Sequence, residues 1–364
     1  MLKLATTFSG IGAIEHALKR LGVKHEIIFA SDNDNFVKQT YFENHDIDDD
    51  RWINLVQDVN GKKYKNKIDL LVGGSPCQSF SMVGKRAGFK DPRGNLFFEF
   101  ARIIDEAKPK AFIFENVKGL LSHDSGKTWK IISKTFDDLG YSHFAQVLNA
   151  KDYGIPQHRE RLFVVGFKNK RKKFKFPDPI ELKILMQDLL EDNTDSKYYL
   201  GEKGVKFVSD EKNLKKRYTQ INGDIALCQK RNQQFNWHGD FVCEPKGAVD
   251  KKYFLSKKVA NYVMATGTKN FYSKPEIDLP VARPLLATMA KMHRAGVDNY
   301  ISRGDKIRKL TPRECFRLMG FDDTFKISVS DTQAYKQAGN SIVVNVLMHI
   351  LTSMGIKPGK KINL

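Results

Sequence analysis

The sequence predicts an α/β protein, a parallel sheet flanked by helices, joined to a second, smaller domain. Three observations predict it. Across the first 167 residues, short apolar runs alternate with helical stretches, the pattern of strands joined by right-handed crossovers. The run from Lys67 is apolar through Val72 and stops at Gly73-Gly74. An apolar run closed by turn residues reads as a buried parallel strand. The alternation then fails at a dense basic run, 168–176, followed by Pro177 and Pro179.

Taken in order, Leu2–Phe8 is a strand and Gly12–Leu21 a helix. His25–Asp32 is the second strand, followed by a helix near Asn35–Glu43. Lys67–Gly74 is a strand, and Asn95–Ala107 a helix with apolar spacings of three and four. Ala111–Val117 is a strand, Thr128–Leu139 a helix, Tyr141–Asn149 a strand, and Arg161–Phe167 closes the series. Residues from about 178 to 306 read poorly as α/β, with short strands, turn residues and polar clusters such as Gln229–His238. Regular structure resumes at Thr311-Pro312-Arg313-Glu314, a capping box with proline at the first helical position. This helix runs to about Met319. Another starts near Asp331, breaks at Gly339-Asn340-Ser341 and resumes as IVVNVLMHILTSM. Such a break frees N–H groups at the new helix start, where a polar ligand can bind.

The predicted division is residues 1–177 plus 326–364 as one domain and 178–325 as the other. A length of 364 residues suits two domains. No apolar run is long enough to span a bilayer, and MLKLATTFSGIG lacks the basic region and cleavage site of a signal peptide. The chain is expected to be cytoplasmic and not membrane-bound. Cys77, Cys228, Cys243 and Cys315 are the 4 cysteines and have no C-x-x-C spacing. That argues against a zinc site and a disulfide framework, so no metal is expected. The excess of 61 Lys+Arg over 42 Asp+Glu, a net +19, favours a polyanion such as nucleic acid as partner.

Two places carry chemistry. The first strand-to-helix turn is Phe8-Ser9-Gly10-Ile11-Gly12, where small residues let a ligand approach the backbone. The G-x-G-x-x-G dinucleotide fingerprint is incomplete, because its third position is Glu15. Asp32, at the end of the second strand, stands where a carboxylate accepts ribose hydroxyls; a helix N-cap is the plainer role for it. Asp58 is placed to accept from an adenine amine. Together the acids point to an adenosine-bearing ligand without a phosphate cradle.

At the other place, Cys77 follows a strand end, on an elbow stiffened by Pro76. Glu115 ends the strand AFIFENV, where a buried carboxylate is expensive unless used. Burial would raise its pKa and let it hold a proton at neutral pH. Strand alternation would put Arg159 and Arg161 on one face. A thiol, a protonatable carboxylate and an arginine suit addition to an electron-poor ring. Thiolate attack at pyrimidine C6, with a proton delivered toward N3, makes C5 able to take a methyl group.

These residues sit in motifs that resemble those of bacterial DNA (cytosine-5)-methyltransferases of the restriction–modification type. The motifs are FSGIG (8–12), GGSPCQSFS (73–81), ENVKGL (115–120), YGIPQHRERLF (153–163), RKLTPRECFRLMGF (308–321) and QAYKQAGNSIVVNV (333–346), in the family's order. The resemblance implies a Rossmann-like, S-adenosyl-L-methionine-dependent methyltransferase fold with a smaller target-recognition domain. It implies Cys77 as nucleophile, Glu115 at cytosine N3, Arg161 at O2, and Arg159 ordering the catalytic loop. Phe8, Ser9, Gly10, Ile11, Gly12, Asp32, Asn33, Asp58, Val59, Pro76, Leu96, Asn340 and Ser341 would line the cofactor pocket. The family commonly has Glu where this chain has Asp32, and an aromatic where it has Asn33, so a rearranged adenine pocket is expected.

The implied partner is double-stranded DNA, with the target base flipped out of the duplex. Ser79–Gly94 resembles the family's catalytic loop, with Val83 as the candidate wedge. Gln78, Ser81, Arg93 and Gln157 are further candidate DNA contacts. By elimination the uncovered middle reads the sequence, through Thr268, Lys269 and Asn270 and through Lys291, His293 and Arg294, types suited to base edges or to phosphates. A cognate restriction endonuclease that shares the site without stable binding is an implied partner. A monomer suits a one-strand-at-a-time reaction. RNA-modifying relatives carry a cysteine-phenylalanine-threonine signature after ENV, where this chain has Leu120-Leu121-Ser122-His123.

Overall fold

The computed structural model describes residues 1–75, 96–192, 194–200, 202–215, 219–225, 239–244, 276–277, 279–285, 300–303, 306–360 and 364. They form two compact units: 1–148, 160–178 and 346–364 make the first, and 149–159 and 179–345 the second. This is a division by packing. It follows the basic run at 178, but it places 149–159 and 326–345 with the second unit rather than with residues 1–177.

The first unit is built on strands β1 (Leu2–Thr7), β2 (His25–Ser31), β3 (Trp52–Ile53), β4 (Leu70–Gly73), β5 (Ala111–Val117), β6 (Ser142–Asn149) and β7 (Glu160–Phe167). Its helices are α1 (Ala13–Arg20), α2 (Asn35–Asn44), α3 (Leu96–Ala107) and α4 (Lys127–Asp138). The order across the sheet is β3-β2-β1-β4-β5-β7-β6. Strands β1 to β5 pair in parallel, and β7 lies antiparallel to β5. The sequence pattern predicts an all-parallel sheet. Periodicity reports burial and not direction, so the reversal of β7 is invisible to it. Two-residue β3 is too short to carry a period.

The alternation predicted each longer element within a few residues. The reason is visible in the core. Leu4, Leu70, Leu71, Phe112, Ile113 and Phe114 are fully or almost fully buried because helices cover both faces of a parallel sheet. α3 buries Phe97, Phe100, Ile103 and Ile104 at spacings of three and four. Phe97 and Phe100 meet Phe114, and Phe112 meets Phe136 from α4, with ring centroids 5.6, 5.5 and 4.6 Å apart.

In the second unit, β8 (Tyr199–Leu200), β9 (Thr219–Ile221), β10 (Gly239–Glu244), β11 (Glu276–Ile277), β12 (Tyr300–Arg303) and β13 (Lys306–Lys309) form a sheet ordered β11-β9-β10-β12-β13-β8. Short helices α5 (Glu202–Val208) and α6 (Glu211–Lys215) accompany it. Beyond it come α7 (Pro312–Leu318) and α8 (Asp331–Asn340), then α9 (Val344–Ser353), which belongs to the first unit from Val346 on. The capping box is present at Thr311: its Oγ1 accepts from Glu314 N–H, and Glu314 Oε2 accepts from Thr311 N–H at 2.8 Å. The helix break falls between α8 and α9, and the Val344 N–H there donates to Met319 O at 2.9 Å. Among the described residues, no helix is long and apolar enough to cross a membrane.

Candidate active site

The chain runs from β1 out to β3 on one side, then returns to build β4 and β5 on the other. The strand order therefore reverses between β1 and β4, the place where open α/β sheets bind ligands. Register fixes what meets there. Thr7 pairs with Gly73 and Gly73 with Phe114. One step further along these parallel strands come Phe8, Gly74 and Glu115, all on the carboxyl edge.

The turn after β1 is held in an uncommon shape. Phe8, Gly10 and Gly12 have φ of 52°, 55° and 81°, a left-handed backbone that is costly for phenylalanine. Ser9 N–H and Oγ–H both reach Ser31 O, at 3.0 and 3.1 Å, and Ser9 Oγ accepts from Ser31 N–H at 2.9 Å. Asp32 Oδ2 accepts from Gly10 N–H at 3.0 Å, and Oδ1 from Asp34 N–H at 3.1 Å. Burial pushes the Asp32 carboxyl up, against the pull of those N–H groups. Asp32 is not the helix cap; Asp34 caps α2, accepting from Phe36 and Val37 N–H.

Behind the turn lies a cluster that the sequence reading passed over. Glu15 is wholly buried, accepts from Tyr41 Oη at 2.6 Å and Thr6 Oγ1 at 3.2 Å, and burial lifts it to about 7. Thr6 Oγ1 is also 2.7 Å from Ser9 Oγ, so the buried acid is linked to the turn. His45 Nε2 sits 3.0 Å from Ile11 O, and burial holds this ring down to about 3. The available signal was Glu15 itself, an acid in the buried stripe of an amphipathic helix.

On the other side of the switch point, Gly74 touches Glu115. A Cβ there would lie 2.9 Å from Glu115 O and 3.0 Å from Oε2. Asn116 Nδ2 donates to Ser75 O at 2.9 Å, fastening the end of β4 to β5. Arg161 Nε is 3.3 Å from Glu115 Oε1, with the side chains 19% and 14% exposed.

The structure separates the two arginines. β7 begins at Glu160, so Arg159 precedes the strand and the alternation rule does not reach it. Arg159 is 3% exposed, and its Nη2 donates to Gly339 O and Ser341 O, both at 2.9 Å. It braces the helix break around Asn340. Gln157, expected at the DNA, is 0% exposed; its Nε2 donates to Leu318 O at 2.7 Å. A glutamine committed to a buried carbonyl is not available to a base edge, and a polar residue type alone could not reveal that.

Phe8, Ile53 and Leu96 are partly exposed apolar side chains packed on the same core. Val59 is buried, while Asn33, Asp58 and Asn340 are exposed and Ser341 is buried. Asn340 and Ser341 belong to the second unit. Pro76, Cys77, Gln78, Ser81, Val83, Arg93, Thr268, Lys269, Asn270, Lys291, His293 and Arg294 lie outside the described residues.

Residues 2–355 match the family of C-5 cytosine-specific DNA methylases. The chain belongs to that family. It is 34% identical over 356 residues to the type II methyltransferase M.HhaI of Haemophilus parahaemolyticus, covering 97% of this chain and 94% of that one. It is 36% identical over 360 residues to the type II methyltransferase M.Bsp6I of Bacillus sp. (strain RFL6), covering 96% and 97%. Among solved structures, the S. pombe Dnmt2 methyltransferase shares the fold with a TM-score of 0.67 at 18% identity, over 97% and 98% of the two chains. The family's methyl donor is S-adenosylmethionine. A methylase of this family needs polar capacity beside the switch point, and the donor set is there. Among the described residues, Thr7 Oγ1 and Ser75 Oγ are buried with no hydrogen-bond partner, and nothing lies within 4 Å of a Cβ built on Gly10. No metal-ligating cluster occurs among the described residues.

Proposed function

We propose that this chain methylates C5 of a cytosine flipped from a short site in duplex DNA, through a covalent bond between Cys77 and C6. The observation that carries the reading is the register of β1, β4 and β5. It gathers the Phe8–Gly12 turn, Gly74-Ser75 and the Glu115–Arg161 pair on one sheet edge. Cys77 follows Ser75 by two residues.

Asp32 takes the ribose hydroxyls of the cofactor, with Phe8 and Leu96 as apolar surface and the Gly10–Gly12 backbone close by. Pro76, Asp58, Val59, Asn340 and Ser341 complete the assignment on the family resemblance. When bound, S-adenosylmethionine supplies an electrophilic methyl group. The Cys77 thiolate adds to C6 of the cytosine while Glu115 holds a proton at N3 and Arg161 binds O2. Electron density moves to C5, which is then alkylated. Loss of the C5 proton and departure of the Cys77 sulfur restore the ring and free the enzyme. Arg161 already holds Glu115, so the base enters a preoriented pair.

Residues 178–325 read the site, with 267–270 and 291–294 as the candidate loops. The test is bisulfite sequencing of DNA from a methylation-free host expressing the chain, beside Cys77→Ser. Protected cytosines confined to one short motif, and absent in the control, are expected. Protein that is folded but protects no cytosine would refute the DNA reading. Methylation of transfer RNA by that same protein would establish an RNA enzyme on this scaffold. Trapping on DNA containing 5-fluorocytosine tests the covalent step, because a fluorine at C5 blocks its final elimination.

A further inference from the structure

The amino edge of the seven-stranded sheet carries a basic feature that the methyl-transfer chemistry does not use. Leu2 N–H donates to Lys24 O, Lys110 N–H to Ile68 O, and Lys168 N–H to Lys110 O, at 3.0, 3.1 and 2.9 Å. Lys24 and Lys110 thus precede β2 and β5, and Lys168 follows antiparallel β7 at the same edge. A cavity of about 520 Å³ opens here, with Lys24, Lys110, Lys357 and Lys360 on its walls and Val23 and Pro358 beside them. Among the described residues, Asp69 is the only acidic side chain lining it. That carboxylate is occupied by Lys110 Nζ at 2.7 Å and Lys3 N–H at 2.9 Å. Lys24, Lys357 and Lys360 are exposed and have no carboxylate partner among the described residues.

We propose that this edge is a second DNA-contact surface, which takes the phosphate backbone of a duplex segment other than the one being methylated. Three physical arguments favour a duplex over a small anion. First, the lysine row runs from β2 across β1, β4 and β5 to β7, four strand spacings or about 19 Å. A single phosphate cannot engage that length, whereas a duplex presents about eleven charges over it. Second, exposed lysines act as separate hydrated point charges and do not form a fork closing on one group. Third, with Asp69 already paired to Lys110, the cleft keeps an excess of positive charge from Lys24, Lys357 and Lys360, which concentrates counter-ions of the opposite sign.

The Phe8–Gly12 turn and Glu115 lie at the far end of strands six or seven residues long, about 20 Å away. A straight duplex on the amino edge is therefore not the duplex at the carboxyl edge. Holding two segments at once would let the enzyme pass from one to the next without release. The inference rests on the reading that DNA is the substrate. Its test measures binding and not methylation, so its failure leaves that reading standing.

The test titrates the protein with a fluorescein-labelled duplex of about 20 base pairs at about 50 mM salt, and counts bound duplexes by sedimentation velocity. The wild type should carry two. The Lys24→Glu/Lys357→Glu/Lys360→Glu variant should carry one and keep wild-type methylation of a short duplex. Three released phosphate contacts predict that log affinity of the second duplex falls against log salt by about 2.7, roughly a 40-fold loss from 50 to 200 mM. One duplex per wild-type molecule, or two on both proteins, overturns the proposal. If charge reversal unfolds the protein, the triple lysine-to-glutamine variant replaces it; two duplexes on that folded variant, with the wild-type salt slope, overturn the proposal equally.

Discussion

Replacing Gly74 by alanine should slow methyl transfer while leaving the protein folded. The new Cβ would stand 2.9 Å from Glu115 O and 3.0 Å from Oε2, where carbon contacts ordinarily rest at about 3.5 Å or more. The nearest atom is backbone of a central strand, so it cannot swing aside. Neighbouring restraints oppose relief, since Asn116 holds Ser75 O and Arg161 holds the Glu115 carboxylate. The two strand ends must therefore part by about 0.5 Å, an overpacking cost of about 1–3 kcal/mol. Cys77 follows on one of those ends and Glu115 sits on the other. A misplacement of about 1 Å between reacting groups costs about 100-fold, so half of that costs about tenfold. The assay is single-turnover transfer of a labelled methyl group at saturating DNA and cofactor, beside a thermal melt. Gly119→Ala is the control, because a Cβ there meets nothing within 4 Å. A Gly74→Ala enzyme with wild-type single-turnover rate and wild-type melting temperature would refute the proposed joint action of Glu115 and Cys77.

Other expectations follow from the same geometry. Glu15 keeps its proton up to about 7 when folded and loses it near 4.5 when unfolded, so the native state binds more protons between those values. Its contribution is full below about 4.5 and lost as pH rises through about 7, a change of about 3 kcal/mol. His45, neutral down to about 3 when folded and down to 6.5 when unfolded, slopes the opposite way below 6.5. The difference between wild type and Glu15→Gln in urea melts from pH 5 to 8 isolates the acid, and identical pH profiles would contradict its buried protonation. Arg159→Ala should destabilise the second unit by about 3 kcal/mol, as its charged hydrogen bonds to Gly339 O and Ser341 O are lost. A urea melt reads this, and an unchanged midpoint would contradict the bracing of the helix break. Asp32→Ala should raise the Kd for S-adenosylmethionine, read by calorimetry, by about 10- to 100-fold through loss of a charged acceptor; an unaltered Kd would move the ribose elsewhere.

The sequence by itself determined the order of the long elements, because a sheet covered on both faces demands apolar runs and its crossover helices demand spacings of three and four. It also singled out Glu115, Arg161, Asp32 and the Phe8–Gly12 turn as candidates, since a charged residue at a buried strand end is costly unless used. The tertiary structure alone decided the direction of β7, the pairing of Arg161 with Glu115, the capture of Arg159 by Gly339 and Ser341, and the burial of Gln157. Each depends on contacts between residues far apart in the chain, up to 182 positions for Arg159 and Ser341, and local periodicity carries no record of such partners. The lysine row on the amino edge is of the same kind. Its members are scattered from Lys24 to Lys360, and only the register of the strands and the turn after α9 bring them to one edge.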